Sequence, residues 1–220
     1  MNNNVFCRGL LNGLIVFLAL SGAANLSHAQ TARQARVDML NRDISVTLKP
    51  DIHELEAAAT VKFKVSEQTG YVGFVLSDNI FVRRVLNSAG VEMEFNQNQA
   101  GPETLSIRFS PPLAAEEATT LRIEYEGGFG SERFNRIFSR DLTNAYIGVE
   151  GTRLLESAKW FPAARFPAER VPGSLEVTVP SGITVIGSGR QGSVIAKDDK
   201  ETFAFSAGAP LGANAFLAGQ

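Results

Sequence analysis

Apolar and polar residues alternate with a period of two along most of the chain from residue 43 onward. The segments DISVTL (residues 43–48) and ATVKFKV (residues 59–65) each place their apolar residues on one face. Because successive side chains of a strand point to opposite faces, this alternation predicts half-buried β-strands. The intervening segment KPDIHEL contains Pro50 and Asp51, which are good turn formers, so the first two strands are predicted to pair as a hairpin.

Further short segments of the same kind follow, divided by Gly, Asn and Pro. They are YVGFVL, FVRRVL, VEMEF, LSIRF, LRIEY, LEVTVP, ITVIGS, GSVIA and TFAF. No long amphipathic helix pattern interrupts the series. Many short strands separated by turns favour an all-β fold, which we expect to be a saddle-like β-sandwich of two mostly antiparallel sheets.

The beginning of the chain has a different pattern. Arg8 precedes an apolar run over residues 10–20, and the small residues Ser27 and Ala29 lie just before Gln30. This layout predicts a signal peptide over residues 1–29. A polar leader over 30–42 follows, of which residues 30–40 could form a frayed helix, and the β-domain covers 43–220. We therefore expect an exported protein, periplasmic or extracellular, with no membrane span after cleavage.

Composition limits the chemistry of the mature chain. The only cysteine, Cys7, and one of two histidines, His28, lie in the predicted signal peptide, which leaves His53 as the sole imidazole. Disulfides, cysteine nucleophiles and zinc sites built from thiolates or several histidines are therefore excluded. A formal net charge of −2 gives no reason to expect nucleic acid as a partner. The basic segment RFNRIFSR (residues 133–140) is expected to be a solvated loop rather than a membrane-surface helix.

Two patterns associated with ligand binding or catalysis are rejected. GSGRQG (residues 187–192) has the glycine spacing of a dinucleotide-binding loop, but the strand-like segment SVIAKDDK follows it where a helix is required. These glycines are instead expected to shape a hairpin. No Gly-x-Ser-x-Gly pattern accompanies His53, so a serine hydrolase of that type is not indicated.

The segment WFPAARFP (residues 160–167) contains the only tryptophan of the chain. Its prolines fix φ and bias the preceding residues toward extended conformations, so it cannot be an ordinary helix. We call it the strap. Trp160, Phe161 and Pro162 either close the β-sheet core or form a junction with another domain.

Five segments, in order, resemble the N-terminal β-domain of the aminopeptidase N family of zinc metallopeptidases. They are ISVTLKPDIHELEAAATVKFKV, LRIEYEGGF, AYIGVEGTRLLESAKWFPAARF, LEVTVPSGITVIGSGR and the final APLGANAFLAGQ. In the family the strap carries Trp-Tyr/Phe-Pro and packs near the junction with the catalytic domain. Residues 163–167 depart from the usual Cys-Phe-Asp-Glu-Pro, which resembles a divergent, bacterial-type branch.

The resemblance also implies a binding residue. The family's N-terminal domain donates a Gln or Glu to the free amine of the substrate from a Gln-x-Glu stretch, which this chain lacks. Glu150 is the nearest acid at the corresponding distance before the strap, and Glu156 is a poorer candidate. A carboxylate suits an ammonium group because the hydrogen bond is charge-assisted. The alternative is that Glu150 is simply an exposed acid at a strand end.

The catalytic His-Glu-x-x-His motif of that family is absent. The resemblance therefore implies a non-catalytic N-terminal domain, with no cofactor of its own, whose partners are the zinc-containing catalytic domain of a longer parent chain and, indirectly, a peptide substrate. The alternatives are a free-standing secreted β-sandwich that binds a protein or peptide, and an enzyme with an unfamiliar site. The last apolar segment, AFLAG (residues 215–219), is expected to be an uncovered edge strand that promotes association.

Overall fold

The computed structural model describes residues 35–99, 101–130, 144–165, 171–211 and 214–220, and nearly all of this part of the chain is extended. The strands are β1 Val37–Lys49, β2 Glu54–Val65, β3 Thr69–Val75, β4 Ile80–Asn87, β5 Phe95–Gln97, β6 Thr104–Leu113, β7 Thr119–Gly128, β8 Ala145–Gly148, β9 Gly151–Leu154, β10 Ala163–Ala164, β11 Val171–Pro180, β12 Thr184–Gly187, β13 Arg190–Lys197, β14 Lys200–Leu211 and β15 Phe216–Gly219. Short 3-10 helices cover Pro50–Ile52 and Glu156–Ala158. The all-β fold class is confirmed.

The strands form three hydrogen-bonded sheets. Sheet A has the order β13-β14-β11-β1-β2-β7-β4, sheet B the order β10-β3-β6-β5, and sheet C the order β12-β15-β9-β8. Among the described strands the one parallel pair is β1 with β11, in the middle of sheet A. Residues 34–220 constitute one compact unit, so the three sheets share a single domain.

The predicted hairpin of β1 and β2 is confirmed, with antiparallel pairing from Val37↔Val65 to Lys49↔Glu54. Its turn begins with Pro50 at the start of the short 3-10 helix. A backbone N–H at this position would have no partner within the helix, so proline, which lacks one, loses no hydrogen bond there. His53 ends the turn in the left-handed conformation, with φ of 59°.

The first strand begins at Val37, six positions before the predicted start at Asp43, so a helix over residues 37–40 was a wrong expectation. The cause is a β-bulge between Met39 and Asn41. The bulge reverses the alternation, so that Leu40 is exposed and Arg42 is buried.

Three further expectations differ from the structure. VEMEF contributes only a bridge between Leu86 and Glu92 and the first residue of β5. The glycines of GSGRQG do not shape a hairpin: β12 pairs with β15 in sheet C, whereas β13 pairs with β14 in sheet A. The segment AFLAG is not an edge, because β15 pairs with β12 on one side and β9 on the other.

The strap connects sheets B and C. Trp160 and Phe161 are fully buried, and Pro162 is buried beside them. The Trp160 ring packs edge-to-face on Phe161 at 5.0 Å and on Phe216 of sheet C at 5.5 Å. Two residues later the chain forms β10, which pairs with β3 of sheet B. The interior contacts of the strap therefore hold sheets B and C together.

Three sequence segments fall outside the described residues, and their predictions stay predictions. They are the predicted signal peptide with the first five residues of the leader (30–34), the basic segment RFNRIFSR, and the last two residues of the strap. Within the described ranges, no helix has the length and apolar character needed to span a membrane.

Candidate functional site

Glu150 lies in the two-residue loop of a tight hairpin in sheet C. Strands β8 and β9 pair up to Gly148↔Gly151, so Val149 and Glu150 form the loop, and both are exposed. Gly151 has φ of 152°, a conformation that favours glycine. The hairpin therefore presents the Glu150 side chain to solvent.

The carboxylate of Glu150 accepts a hydrogen bond from the Tyr146 hydroxyl, which lies on β8 of the same hairpin. This bond raises the pKa of Tyr146 and is the main reason that the pKa of Glu150 is lowered. A smaller contribution to the lowered pKa of Glu150 comes from the nearby His53. Both shifts favour a neutral phenol that donates to a charged carboxylate.

His53 attaches the turn between β1 and β2 to the same hairpin. Its Nδ1 donates to the carbonyl oxygen of Ile147 at 2.5 Å, and the backbone N–H of Ile147 donates to Phe129 at 2.9 Å. The His53 ring lies 6.0 Å from that of Tyr146. An imidazole, a phenol and a carboxylate are thus brought together from two separate turns. We call this group the hairpin cluster.

Glu156, the poorer candidate, lies elsewhere. It begins the 3-10 helix Glu156–Ala158 and is half-buried, and burial raises its pKa while the charge of Arg42 opposes that shift. Its charged neighbour is therefore the buried guanidinium of Arg42. The structure does not bring Glu156 into the hairpin cluster.

The strap residues do not contribute polar groups to the hairpin cluster. Trp160 and Phe161 are enclosed by the core, and the Trp160 Nε1 has no hydrogen-bond partner among the described atoms. Their surroundings are those of packing residues.

A second polar surface lies on the outer face of sheet A, where a shallow depression of about 400 Å³ is lined mainly by charged residues and alanines. Its charges satisfy one another: Arg84 and Arg122 both pair with Glu124, and Arg83 pairs with Glu126. Exposed pairs of this kind contribute little individually. The depression offers no unpaired charge or apolar pocket to a ligand.

Zinc does not fit the part of the chain that the structure describes. No group of three or more His, Cys, Asp or Glu side chains lies close enough there to hold a metal ion. The Nδ1 of His53, the one described imidazole, is already bonded to a backbone carbonyl.

Tyr146 and the proximity of His53 to Glu150 were missed by reasoning from the sequence. A usable signal exists for the tyrosine: in YIGVEG the two glycines flank a two-residue loop, which predicts a hairpin with Tyr146 and Glu150 near each other. The contact with His53 joins residues far apart in the chain, and no local pattern encodes it.

The fold is similar to that of zinc metallopeptidases of the M1 family. Three such solved structures are the M1 zinc metallopeptidase from Deinococcus radiodurans, a mutant of it bound to a Tyr-Ser-Ala substrate, and a two-domain M1 zinc metallopeptidase mutant bound to L-arginine. Each superposes with a TM-score of 0.68 at 16% identity and covers 83% of this chain.

The chain matches 42% of the length of those proteins. No protein-family model matches the sequence, and no curated protein matches it. The similarity therefore establishes the fold.

Proposed function

We propose that this chain is a non-catalytic N-terminal domain of an exported zinc metallo-aminopeptidase, acting as a scaffold and as part of the wall that binds the amino end of the substrate. The observation that carries the proposal is the shared fold over 83% of this chain and 42% of the M1 metallopeptidases. The remaining length of those proteins leaves room for a catalytic domain, which in a parent of this chain would hold the zinc.

Glu150 is the residue we propose for contact with the substrate's amino group. Its carboxylate is exposed and charged, and within the described ranges no lysine or arginine pairs with it. The ligands of two of the similar metallopeptidases, Tyr-Ser-Ala and L-arginine, each have a free amino group. An ammonium group would form a charge-assisted hydrogen bond with Glu150.

The position of the last strand supports the same role. In β15, the carbonyl oxygen of Ala218 lies 3.4 Å from where a Cβ on Gly151 would be, so the carboxyl end of this strand is beside the Glu150 loop. In a longer parent chain, polypeptide continuing from Gln220 would start next to Glu150. A catalytic domain attached there would have the carboxylate close to its surface.

The alternative is a free-standing module that binds a protein or peptide. On the outer face of sheet C, Ile186 and Leu217 lie side by side in register and are 68% and 48% exposed. Such an apolar pair suits a protein contact, either with a separate partner or with a catalytic domain of the parent chain.

The DNA that follows codon 220 separates the two functions. A continuing frame that encodes His-Glu-x-x-His supports the metallopeptidase domain, whereas a stop codon with no such gene nearby supports the free-standing module. In the parent enzyme, Glu150→Gln should raise KM for peptides with a free amino end and leave zinc content unchanged. The chain alone should bind no stoichiometric zinc by metal analysis and release no amino acid from an aminoacyl-anilide.

A further inference from the structure

The side chain of Tyr146 lies over Gly148, two residues further along β8. A Cβ added at Gly148 would be 2.3 Å from the Tyr146 hydroxyl oxygen and 2.7 Å from two carbons of its ring. Real Cβ atoms do not approach other heavy atoms this closely, so the ring would have to move. The glycine therefore leaves the space that the phenol occupies.

The same phenol is hydrogen-bonded to Glu150, whose side chain projects from an exposed two-residue loop. An exposed glutamate on a loop samples several rotamers, and restricting them costs conformational entropy when a ligand binds. A hydrogen bond to one carboxylate oxygen, Oε1, limits this freedom before binding. The other oxygen, Oε2, then has a preferred direction.

We infer that Tyr146 is the positioning residue of this site, holding the Glu150 carboxylate in the orientation that accepts a ligand ammonium group, and that Gly148 permits this by leaving room for the Tyr146 ring. This inference rests on the proposed function of Glu150. The ligand class is a primary ammonium, as in the free amino end of a peptide. The ring of Tyr146 adds an aromatic surface beside the carboxylate, which also favours a cation.

The neighbouring groups are consistent with this role. The His53 ring lies 6.0 Å from the Tyr146 ring and is held by its bond to Ile147, and the Tyr146 ring also lies against Gly148. Gly130 lies against His53, since a Cβ there would be 3.1 Å from the Cβ and Cγ of His53. The phenol is thus supported by groups that do not themselves bond to Glu150.

Two variants perturb the tyrosine in different ways. Tyr146→Phe removes the hydroxyl and keeps the ring, whereas Gly148→Ala keeps the hydroxyl and displaces the ring. Gly219→Ala is the matched control, because a Cβ at Gly219 meets no atom within 4 Å. The probe is L-leucinamide, with N-acetyl-L-leucinamide as the analogue without an ammonium, and binding to the full chain is followed by NMR of labelled glutamate carboxyl carbons.

The expected result is that Tyr146→Phe and Gly148→Ala each weaken leucinamide binding by roughly three- to tenfold, the effect of losing one hydrogen bond, while Gly219→Ala binds like the wild type. The pKa of Glu150 should also rise in both variants, because the Tyr146 hydrogen bond is the main cause of its lowering. If Tyr146 served only for packing, its substitution would change the melting temperature and would leave both the pKa of Glu150 and the selectivity for an ammonium group unchanged.

The outcomes separate the inference from the function on which it rests. If Glu150→Gln abolishes leucinamide binding but Tyr146→Phe binds like the wild type, Tyr146 is not the positioning residue and the role of Glu150 stands. If the wild-type chain does not prefer leucinamide to its acetylated analogue, both are wrong. Should Gly148→Ala fail to fold, the Tyr146→Phe variant decides alone.

Discussion

The guanidinium carbon of Arg42 lies 4.3 Å from the centre of the Phe161 ring, in the interior of the domain. Arg42 is only 5% exposed, and its burial lowers its pKa while the charge of Glu156 opposes that shift. The side-chain amide of Asn214 is oriented with its oxygen toward the guanidinium. This oxygen accepts a hydrogen bond from Arg42 Nε at 3.0 Å. The buried cation thus contacts an aromatic ring and an amide, and the negative charge of Glu156 favours its charged form.

We expect Arg42→Met to lower the free energy of unfolding by about 3 kcal/mol, because it leaves Glu156 without its counter-charge inside the domain. Arg42→Lys should not restore stability, since an ammonium cannot stack flat on Phe161. Urea unfolding followed by tryptophan emission measures both. The control is Arg108→Met, which removes an exposed pair with Glu94 and should cost less than about 1 kcal/mol. Equal losses at the two sites would contradict the stabilising role of Arg42.

Trp160→Ala should lower the free energy of unfolding by about 3–5 kcal/mol, the usual cost of deleting a large buried aromatic side chain. The wild-type emission, which comes from this residue alone, should be blue-shifted in the folded chain and shift to the red on unfolding. Phe81→Ala, at a position that is 52% exposed, is the control and should have a small effect. A red-shifted spectrum from the folded protein would mean that Trp160 is not in the core.

Gly173→Ala should destabilise the domain by about 1–3 kcal/mol or more. Gly173 lies opposite Arg42 in the parallel pair of β1 and β11, and a Cβ there would be 1.9 Å from the backbone oxygen of Arg42. The backbone, unlike the end of a side chain, cannot move aside cheaply. Gly219→Ala is the matched substitution in open space and should be neutral or slightly stabilising, because it restricts the unfolded chain. Calorimetry that found the two variants equally stable would contradict this reasoning.

The two candidate glutamates should show opposite pH dependence. Burial raises the pKa of Glu156 in the folded state, so its contribution to stability is present below its ordinary pKa of 4.5 and is lost as the pH rises. The pKa of Glu150 is lowered, mainly by Tyr146, so its contribution is present at neutral pH and is lost as the pH falls.

The stability of Glu156→Gln relative to the wild type should therefore increase as the pH rises from about 4 to about 7, whereas that of Glu150→Gln relative to the wild type should decrease. Urea unfolding across this range gives both differences. The assignment of Glu156 to the interior would be wrong if the two differences had the same sign.

The alternation of apolar residues was sufficient to predict the fold class and most of the longer strands, but it did not predict β8 and β9 or where β1 begins. The bulge after Met39 places the apolar Leu40 outside and the charged Arg42 inside, which is the reverse of what their hydrophobicity suggests. The groups that stabilise the buried charge of Arg42, such as the Phe161 ring, lie more than a hundred positions away in the chain. Local patterns do not contain that information.

Strand pairing was likewise beyond the reach of periodicity. As predicted, a strand and not a helix follows the glycines of residues 187–192, yet nothing local shows that this segment passes from sheet C to sheet A. For the candidate site, Glu150 came from its position before the strap and Tyr146 from the structure. The contact between Tyr146 and Glu150 follows from the geometry of the hairpin, whereas the approach of His53 to Tyr146 follows from the tertiary fold.

The insertion of β15 between β12 and β9 has a consequence for folding during synthesis. Trp160 leaves the ribosome long before Phe216, on which its ring packs at 5.5 Å. Until Phe216 emerges, sheet C lacks its central strand and the Trp160 ring lacks part of its cover. Such incomplete intermediates expose apolar surface and unpaired strands. Nascent chains that have not yet reached Phe216 should therefore be substrates for chaperones, and release from them should follow the emergence of the final strand.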